Sequence, residues 1–192
     1  AIERFLGDKA IEQGWRVPVL AVDSGKSVLI VGAGPSGLSA AYHLRLAGHR
    51  VHIKEAGPMA GGMMRFGIPS YRLPRGILDA EIRRIEEMGV SIEYNAKVEN
   101  VEDELGKWDA IFLGAHIGRR TDIPAGESAK IVDAVSLLQG VEKGESPMLG
   151  RRVVVYGGGN TAIDVARTAK RLGALEAIIV YRRTRDRMPA HD

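Results

Sequence analysis

The chain has 192 residues, of which 45% are hydrophobic, and its 27 Lys and Arg against 24 Asp and Glu give a net charge of +3. This charge is too small to indicate nucleic-acid binding, and no apolar run reaches the ~20 residues that a membrane span needs. No secretory signal is recognised at the first residues, so we expect a cytoplasmic location. The absence of cysteine excludes a disulfide, a cysteine nucleophile and a thiolate-bound iron–sulfur cluster within these residues.

The first part of the chain predicts short apolar strands that alternate with helices. In chain order, the elements are a helix in 1–15, a strand at Ser27–Val31, a helix from Pro35 to Gly48, a strand at Arg50–Lys54, a loop at 57–76, a helix at 76–88, and strands at 90–94 and Ala110–Leu113. Continuous apolar runs such as Ser27–Val31 are typical of parallel strands that are covered on both faces.

The pattern restarts in the last part of the chain. After a loop at 116–128 and a helix at 131–142, the predicted elements are a strand at Arg152–Tyr156, a helix at 161–172 and a strand at 177–181. A strand, a glycine turn, a helix and a second strand therefore occur twice. The sequence predicts an α/β fold with two Rossmann-like βαβ dinucleotide-binding units and parallel sheets, the second unit being incomplete.

The first glycine turn carries the Gly-x-Gly-x-x-Gly fingerprint of dinucleotide-binding folds. Its glycines permit the tight turn, the approach of a pyrophosphate and the close packing of helix against strand. An acidic residue ends the following strand, where it can accept hydrogen bonds from ribose hydroxyls. The residues predicted to bind the cofactor are Gly32, Gly34, Pro35, Ser36, Gly37 and Glu55. The alternative is a glycine-rich turn that occurs by chance. The succession of strand, helix, second strand and acidic residue along the chain argues against this alternative.

The second glycine turn carries the related pattern Gly-x-Gly-x-x-Ala, and two arginines replace the acid about 20 positions further on. Arginine at this place typically binds the 2′-phosphate of NADP through charge-assisted hydrogen bonds. The predicted binding residues are Gly157, Gly159, Asn160, Thr161, Ala162, Arg182 and Arg183. The alternative is that these arginines, with Arg185 and Arg187, form a solvated basic tail or a nucleic-acid patch. An acid at one site and arginines at the other indicate two different dinucleotides, FAD and NADPH.

The chain resembles the small (beta) subunit of NADPH-dependent glutamate synthase. It also resembles related modules in dihydropyrimidine dehydrogenase and in some ferredoxin:NADP oxidoreductases. The resemblance extends over nearly the whole chain and rests on Ile2–Phe5, Gly32–Gly37, Gly61–Pro69, Tyr71–Pro74, Gly157–Ala162, Tyr181–Arg183 and Met188–Pro189. The turn at Phe112–Ala115 is shorter than that of the family.

The resemblance implies a flavin contact and an electron-transfer reaction. Gly61, Gly62 and Arg65 would contact the flavin. Hydride would pass from NADPH to FAD, and electrons would then pass to iron–sulfur clusters in regions absent from this chain. The implied partner is the large glutamate synthase subunit or another electron acceptor. Because the second unit has only about two strands, we also expect it to pack on the first unit or, by self-association of the fragment, on a second chain.

The resemblance also implies three regions in a fragment of a longer protein. These are an N-terminal helix and linker in 1–25, the first part of an FAD-binding domain in 26–149, and the first part of an NADPH-binding domain in 150–192.

The residues are also compatible in part with other functions. A disulfide reductase would share both fingerprints but needs cysteines, and a flavin monooxygenase or amine oxidase need not have the second fingerprint. A non-catalytic nucleotide-binding fragment is the main alternative, because a fold alone does not establish activity. No general acid or base is assigned, since a lone loop histidine such as His116 or His191 is more often structural or exposed to solvent.

Overall fold

A computed structural model describes residues 2–115 and 130–190 of the chain. His116 and His191 lie outside these residues, as does the whole predicted loop at 116–128. The described residues divide into two compact units. Unit 1 contains residues 2–65 and 73–115, and unit 2 contains residues 66–72 and 130–190. This partition rests on contacts, and the domain boundaries inferred from the sequence stay a prediction.

Unit 1 is built around a parallel sheet. Its elements are α1 (Ile2–Glu12), β1 (Ser27–Val31), α2 (Pro35–Leu46), β2 (Arg50–Lys54), α3 (Met63–Phe66, whose last residue falls in unit 2), α4 (Arg75–Glu86), β3 (Ser91–Glu93), a 3-10 turn at Val101–Glu104, and β4 (Ala110–Leu113). The strand order is β3-β2-β1-β4. All neighbouring strands are parallel, and Val28 of β1 pairs with Val51 of β2 and with Ala110 of β4.

The core of unit 1 lies beside the central strand. Leu29 and Ile30 of β1 and Ile53 of β2 have no exposed surface. Residues of α2 and α4, among them Leu38 and Leu78, form one apolar cluster with Ile30 and Ile53. Burial of these side chains stabilises the sheet that carries the first glycine turn at the end of β1, at roughly 1.5–3 kcal/mol for each large side chain.

Unit 2 is smaller and contains two parallel strands. Its elements are α5 (Ala134–Glu142), β5 (Arg152–Tyr156), α6 (Asn160–Arg171), β6 (Glu176–Val180) and a 3-10 turn at Arg185–Arg187. Leu137 and Leu138 of α5 pack with Val155, Val165 and Ala166 in its core.

The other face of the sheet in unit 2 carries large apolar side chains that are exposed, namely Val154, Tyr156, Ile178 and Val180. A sheet with two strands has little stability of its own. Self-association of the fragment through such a face therefore stays a prediction.

The segment predicted as a long loop at 57–76 is more regular than expected. It contains α3, which begins where Gly61 and Gly62 accept hydrogen bonds from Met64 and Arg65, both at 3.0 Å. A helix of four residues is too short to give a periodic signal in the sequence. The other predicted helices and strands are present with ends that differ by up to a few residues, as is common for fraying termini.

Asp109, directly before β4, connects this strand to β1. Its carboxylate accepts hydrogen bonds from the Ser27 amide at 2.8 Å, the Lys26 Nζ at 3.0 Å and the Ser27 hydroxyl at 3.1 Å. These hydrogen bonds, the Ser27 amide first, lower the pKa of Asp109 to about 2. The ordinary pKa of an aspartate is about 3.9, so folding favours its ionised form.

We expect Asp109→Asn to destabilise the protein in a pH-dependent way. The contribution of a carboxylate with a lowered pKa is fully present above the unfolded pKa and is lost as the pH falls through the folded pKa. The free energies of unfolding of wild type and variant should therefore differ by a constant amount above about pH 5 and converge towards about pH 2. Urea unfolding between pH 2 and 7 measures this, and a difference that does not change with pH would contradict the role of the carboxylate.

Within residues 2–115 and 130–190, no helix has the length and apolar character that crossing a bilayer requires. The same residues contain no cluster of three or more His, Asp or Glu side chains that could hold a metal ion.

Candidate functional site: two glycine turns at helix N-termini

The first glycine turn connects β1 to α2 with very little space between backbones. Gly32 has a φ of +100°, which side-chain-bearing residues rarely adopt, and its N–H donates to the Lys54 carbonyl at 2.8 Å. A Cβ built on Gly37 would lie 1.9 Å from the Gly32 carbonyl oxygen. The third glycine of the fingerprint is therefore required for the helix to pack against the strand, as the sequence predicts.

The N-terminus of α2 is open towards a ligand. Gly34 is its N-cap and Pro35 its first residue, so no side chain caps the helix. The first N–H groups of a helix have no intrahelical carbonyl partner, and together with the helix dipole they favour an anion. A Cβ on Gly34 would have only the Gly62 Cα within 4 Å, at 3.9 Å. The second glycine thus leaves its backbone accessible, whereas Gly37 is enclosed.

Glu55, directly after β2, lies next to this turn. One carboxylate oxygen accepts from the Ala33 amide at 2.7 Å, and the other accepts from the Gly57 amide at 2.7 Å. These two backbone donors fix the carboxylate beside the turn. Each carboxylate oxygen can accept more than one hydrogen bond, so Glu55 keeps capacity for ribose hydroxyls.

The segment at Gly61 and Gly62 contacts the same turn, which the sequence could not predict from spacing. The Gly61 amide donates to the Ala33 carbonyl at 2.8 Å. Gly62 has a φ of +50°, and a Cβ on it would lie 2.7 Å from the Gly34 Cα. Both glycines are needed where they stand, and the structure brings them together with the first fingerprint.

Arg65 is buried, and its guanidinium group is used inside unit 1. Its Nε donates to the Ala60 carbonyl at 2.6 Å, and its Nη2 forms an ion pair with Asp79. Asp79 lies on α4 and was not singled out in the sequence. These contacts hold the Gly61–Arg65 loop against α4, and the predicted contact of Arg65 with a flavin stays a prediction.

Two further groups in unit 1 have shifted pKa values. Burial, followed by the negative charge of Glu86, raises the pKa of Tyr94 above its usual value. Hydrogen bonds from Lys54 at 2.8 Å and from the Trp108 indole at 3.2 Å lower the pKa of Glu104. Since Lys54 directly precedes Glu55, the ion pair with Glu104 helps to fix the end of β2.

The second glycine turn connects β5 to α6 in a similar way. Gly157 has a φ of +149°, and its amide donates to the Val180 carbonyl at 2.9 Å. Gly159 is the N-cap of α6 and has open space where a Cβ would be. Ala162 is buried in the core of unit 2, and Asn160 and Thr161 form the first residues of the helix. The predicted residues of the turn thus lie together at one helix N-terminus.

The chain after β6 folds back over this turn. The Tyr181 ring lies against Gly158, because a Cβ there would be 2.5 Å from the ring. The Tyr181 hydroxyl donates to the Arg187 carbonyl at 3.1 Å, and the Ala190 amide donates to the Gly158 carbonyl at 3.1 Å. These contacts close a loop whose ends are both anchored beside the glycine turn.

Arg182 and Arg183 lie in this closed loop and are exposed. Within the described residues, neither guanidinium group forms an ion pair or a side-chain hydrogen bond. Two exposed arginines in a loop that is anchored at the glycine turn give this loop a positive charge that suits a phosphate group.

The two glycine turns define a class of nucleotide-dependent oxidoreductases. The sequence profile of the pyridine nucleotide-disulphide oxidoreductase family matches residues 26–192, and the chain belongs to this family. The 192 residues contain no cysteine, so a disulfide cannot form within them.

Two relatives are similar to most of this chain. The chain is 48% identical over 180 residues to the NADP(+)-dependent formate dehydrogenase subunit beta of Moorella thermoacetica, covering 89% of this chain and 25% of that protein. It is 35% identical over 207 residues to the glutamate synthase [NADPH] small chain of Escherichia coli (strain K12), covering 98% of this chain and 43% of that protein. The predicted resemblance is confirmed, and the chain spans less than half the length of these relatives.

Solved structures share the fold. The structure of Mycobacterium tuberculosis FprA in complex with NADPH matches with a TM-score of 0.70 and 24% identity, over 86% of this chain and 45% of that chain. The thioredoxin reductase of Lactococcus lactis matches with a TM-score of 0.58 and 21% identity, over 87% of this chain and 59% of that chain. The predicted α/β class with parallel sheets is confirmed.

Proposed function

We propose that this chain is the dinucleotide-binding part of an NADPH-dependent flavoprotein oxidoreductase similar to the glutamate synthase small subunit. FAD would bind at the turn of unit 1 and NADPH at the turn of unit 2. The observation that carries the proposal is the difference between two otherwise similar turns. A fixed carboxylate, Glu55, lies beside the first turn, and two exposed arginines lie in the loop that folds back over the second turn.

The residues of unit 1 fit FAD. Gly34 leaves room for a pyrophosphate at the N-terminus of α2, while Glu55 suits ribose hydroxyls and would repel a 2′-phosphate. Gly61 and Gly62 extend the glycine surface with two more positions at which the backbone packs closely. The dinucleotide would therefore lie along the Gly32–Gly37 turn.

The residues of unit 2 fit NADPH. The open space at Gly159 suits the pyrophosphate, and Arg182 and Arg183 suit the 2′-phosphate of the adenosine ribose. The contacts of Tyr181 and Ala190 with the turn hold the loop before a ligand arrives, which reduces the entropy lost on binding.

When both cofactors are bound, they supply hydride transfer from the nicotinamide to the flavin. The residues of this chain bind and orient the two dinucleotides, and no side chain is assigned as an acid or a base. The whole protein would pass electrons to an iron–sulfur centre or to another acceptor outside this chain. We expect a partner subunit, as the names of the relatives suggest, and a cytoplasmic location.

A non-catalytic nucleotide-binding fragment is the second candidate. It would keep both glycine turns but show no transfer between the cofactors. The chain spans only 25–43% of the two relatives described above, so binding without turnover is a distinct outcome for these residues alone.

Visible absorption tests the proposal in two stages. We expect the purified chain, after incubation with FAD and gel filtration, to keep flavin bands. We then expect anaerobic NADPH to bleach those bands, and NADH to do so less effectively. Flavin that co-elutes but is not bleached would support the non-catalytic candidate. A chain that retains no flavin would contradict the assignment of the first site.

A further inference from the structure

A buried ion pair connects α6 to the segment Phe66–Arg72, which we call the strap. The Arg72 Nη1 lies 2.6 Å from the Asp164 Oδ2. The Asp164 side chain is only 3% exposed, whereas the Arg72 side chain is 36% exposed. The second carboxylate oxygen of Asp164 has no hydrogen-bond partner among the described residues. Arg72 therefore supplies the observed hydrogen bond that stabilises this buried charge.

Asp164 is a charged residue among the buried residues of α6, most of which are apolar. Its buried neighbours on the helix, such as Ala162 and Val165, are apolar. A buried charge without a partner is strongly unfavourable, and removing the partner of an existing pair is therefore costly. The side chain of Asp164 consequently needs the strap to remain in place.

A second contact fastens the strap to the same helix. The Arg171 guanidinium carbon lies 3.8 Å from the centroid of the Tyr71 ring, which is a cation–π arrangement. Asp164, Thr168 and Arg171 are four and three positions apart, so they lie on one face of α6. The strap covers this face with adjacent residues that contact two successive turns of the helix.

The strap belongs to unit 2, although the chain on both sides of it belongs to unit 1. The chain leaves unit 1 after Arg65 and re-enters it at Leu73. Arg65 ends the Gly61–Arg65 loop, whose glycines contact the first fingerprint, and α6 begins directly after the second fingerprint. The strap is thus continuous in the chain with a loop at one candidate site, and its side chains contact the helix that begins at the other.

We propose that Asp164 is a positioning residue for hydride transfer, which it serves by holding the strap on α6 through Arg72. This inference rests on the proposed function. With the strap fastened, Tyr71 and Arg72, the last residues before the chain returns to unit 1, are held on α6. If the strap is released, its residues become part of a flexible linker between the units. A longer flexible linker lowers the effective concentration of one bound cofactor at the site of the other. Transfer depends steeply on such positioning, whereas binding of either dinucleotide to its own unit does not.

Digestion with trypsin tests, without any cofactor, whether Asp164 holds the strap on α6. Trypsin cleaves the Arg72–Leu73 bond only when the strap is accessible. We expect Asp164→Asn and Asp164→Leu to increase cleavage after Arg72 by about tenfold or more, relative to cleavage after Arg183 in the exposed loop. The leucine variant replaces the carboxylate with an apolar group that branches at the same carbon, so that no unpaired charge is left in the core. Arg152→Gln, which removes an exposed ion pair with Glu176 in the same unit, should leave the ratio unchanged.

Anaerobic stopped-flow reduction of the FAD-loaded chain by NADPH tests the positioning role. We expect Asp164→Asn to lower the limiting rate of flavin reduction by about tenfold or more. The dissociation constants for FAD and NADP+ should remain within about threefold of wild type. Arg72→Lys, in a chain with native Asp164, keeps a charged partner for this carboxylate and should retain most of the wild-type rate. A general loss of structure would weaken binding as well.

Flavin reduction in the wild type and in the Asp164→Asn variant distinguishes a failure of the positioning role from a failure of the proposed function. If the wild-type chain binds FAD but NADPH does not reduce it, the proposed function fails and the positioning role fails with it. If the wild type is reduced and the Asp164→Asn variant is reduced at the same limiting rate, the positioning role alone is overturned. Unchanged cleavage after Arg72 in both Asp164 variants would also overturn it.

Discussion

Gly37→Ala is expected to destabilise unit 1 by about 3 kcal/mol or more. The added Cβ would lie 1.9 Å from the Gly32 carbonyl oxygen and 3.1 Å from the Ile30 Cγ2. The first atom belongs to the backbone of the tight turn and the second to a side chain with no exposed surface, so neither can move without disturbing the core. Urea unfolding followed by circular dichroism measures the change.

Gly34→Ala is the matched control for this substitution. Gly34 has a φ of −78°, which alanine tolerates, and its added Cβ would have only one atom within 4 Å, at 3.9 Å. We expect this variant to fold with nearly normal stability but to bind FAD about 100-fold more weakly, because the methyl group occupies the approach of the pyrophosphate. A Gly37→Ala variant as stable as wild type would contradict the packing described for this turn.

The double substitution Arg182→Ala and Arg183→Ala is expected to weaken NADPH binding by about 100-fold or more. Charge-assisted hydrogen bonds are each worth about 1.5–3 kcal/mol, and two arginines at the 2′-phosphate would provide at least two. NADH lacks this phosphate, so its affinity should change little, and FAD binding in unit 1 should not change. Isothermal titration with each dinucleotide measures the three affinities.

Arg167→Ala provides the control for charge alone, since Arg167 is an exposed arginine on α6 in the same unit. It should leave the preference for NADPH over NADH within about twofold of wild type. Equal losses of NADPH and NADH affinity in the double variant would indicate a contact with the pyrophosphate instead. No loss at all would favour the interpretation of these arginines as a solvated basic tail.

The sequence predicts both glycine turns well because their requirements are local. A fingerprint needs a strand, a tight turn and a helix in direct succession, and all of these lie within about 30 residues. Gly32 shows the expected positive φ, and Gly37 shows the expected close packing of helix against strand. The parallel β1 and β2 follow from the same local pattern, since a short helical crossover joins parallel strands.

Contacts between distant residues could not be predicted in this way. The partner of Arg65 is Asp79 on α4, and the partner of Arg72 is Asp164 on α6. Each charged residue has several possible partners in the sequence, and only the folded chain selects one. Asp164 gave no separate signal, because Thr168 and Arg171 on the same face of α6 are also polar. The short α3 gave no signal, since four residues cannot show helical periodicity.

We expect one chain to hold two different dinucleotides at once, and this is measured by titrating NADP+ into the FAD-loaded chain. The free flavin concentration should be followed by fluorescence during the calorimetric titration. We predict one NADP+ and one FAD per chain at saturation, with no release of flavin. Release of FAD in proportion to the NADP+ bound would mean that both compete for a single site, and it would contradict the assignment of separate sites to units 1 and 2.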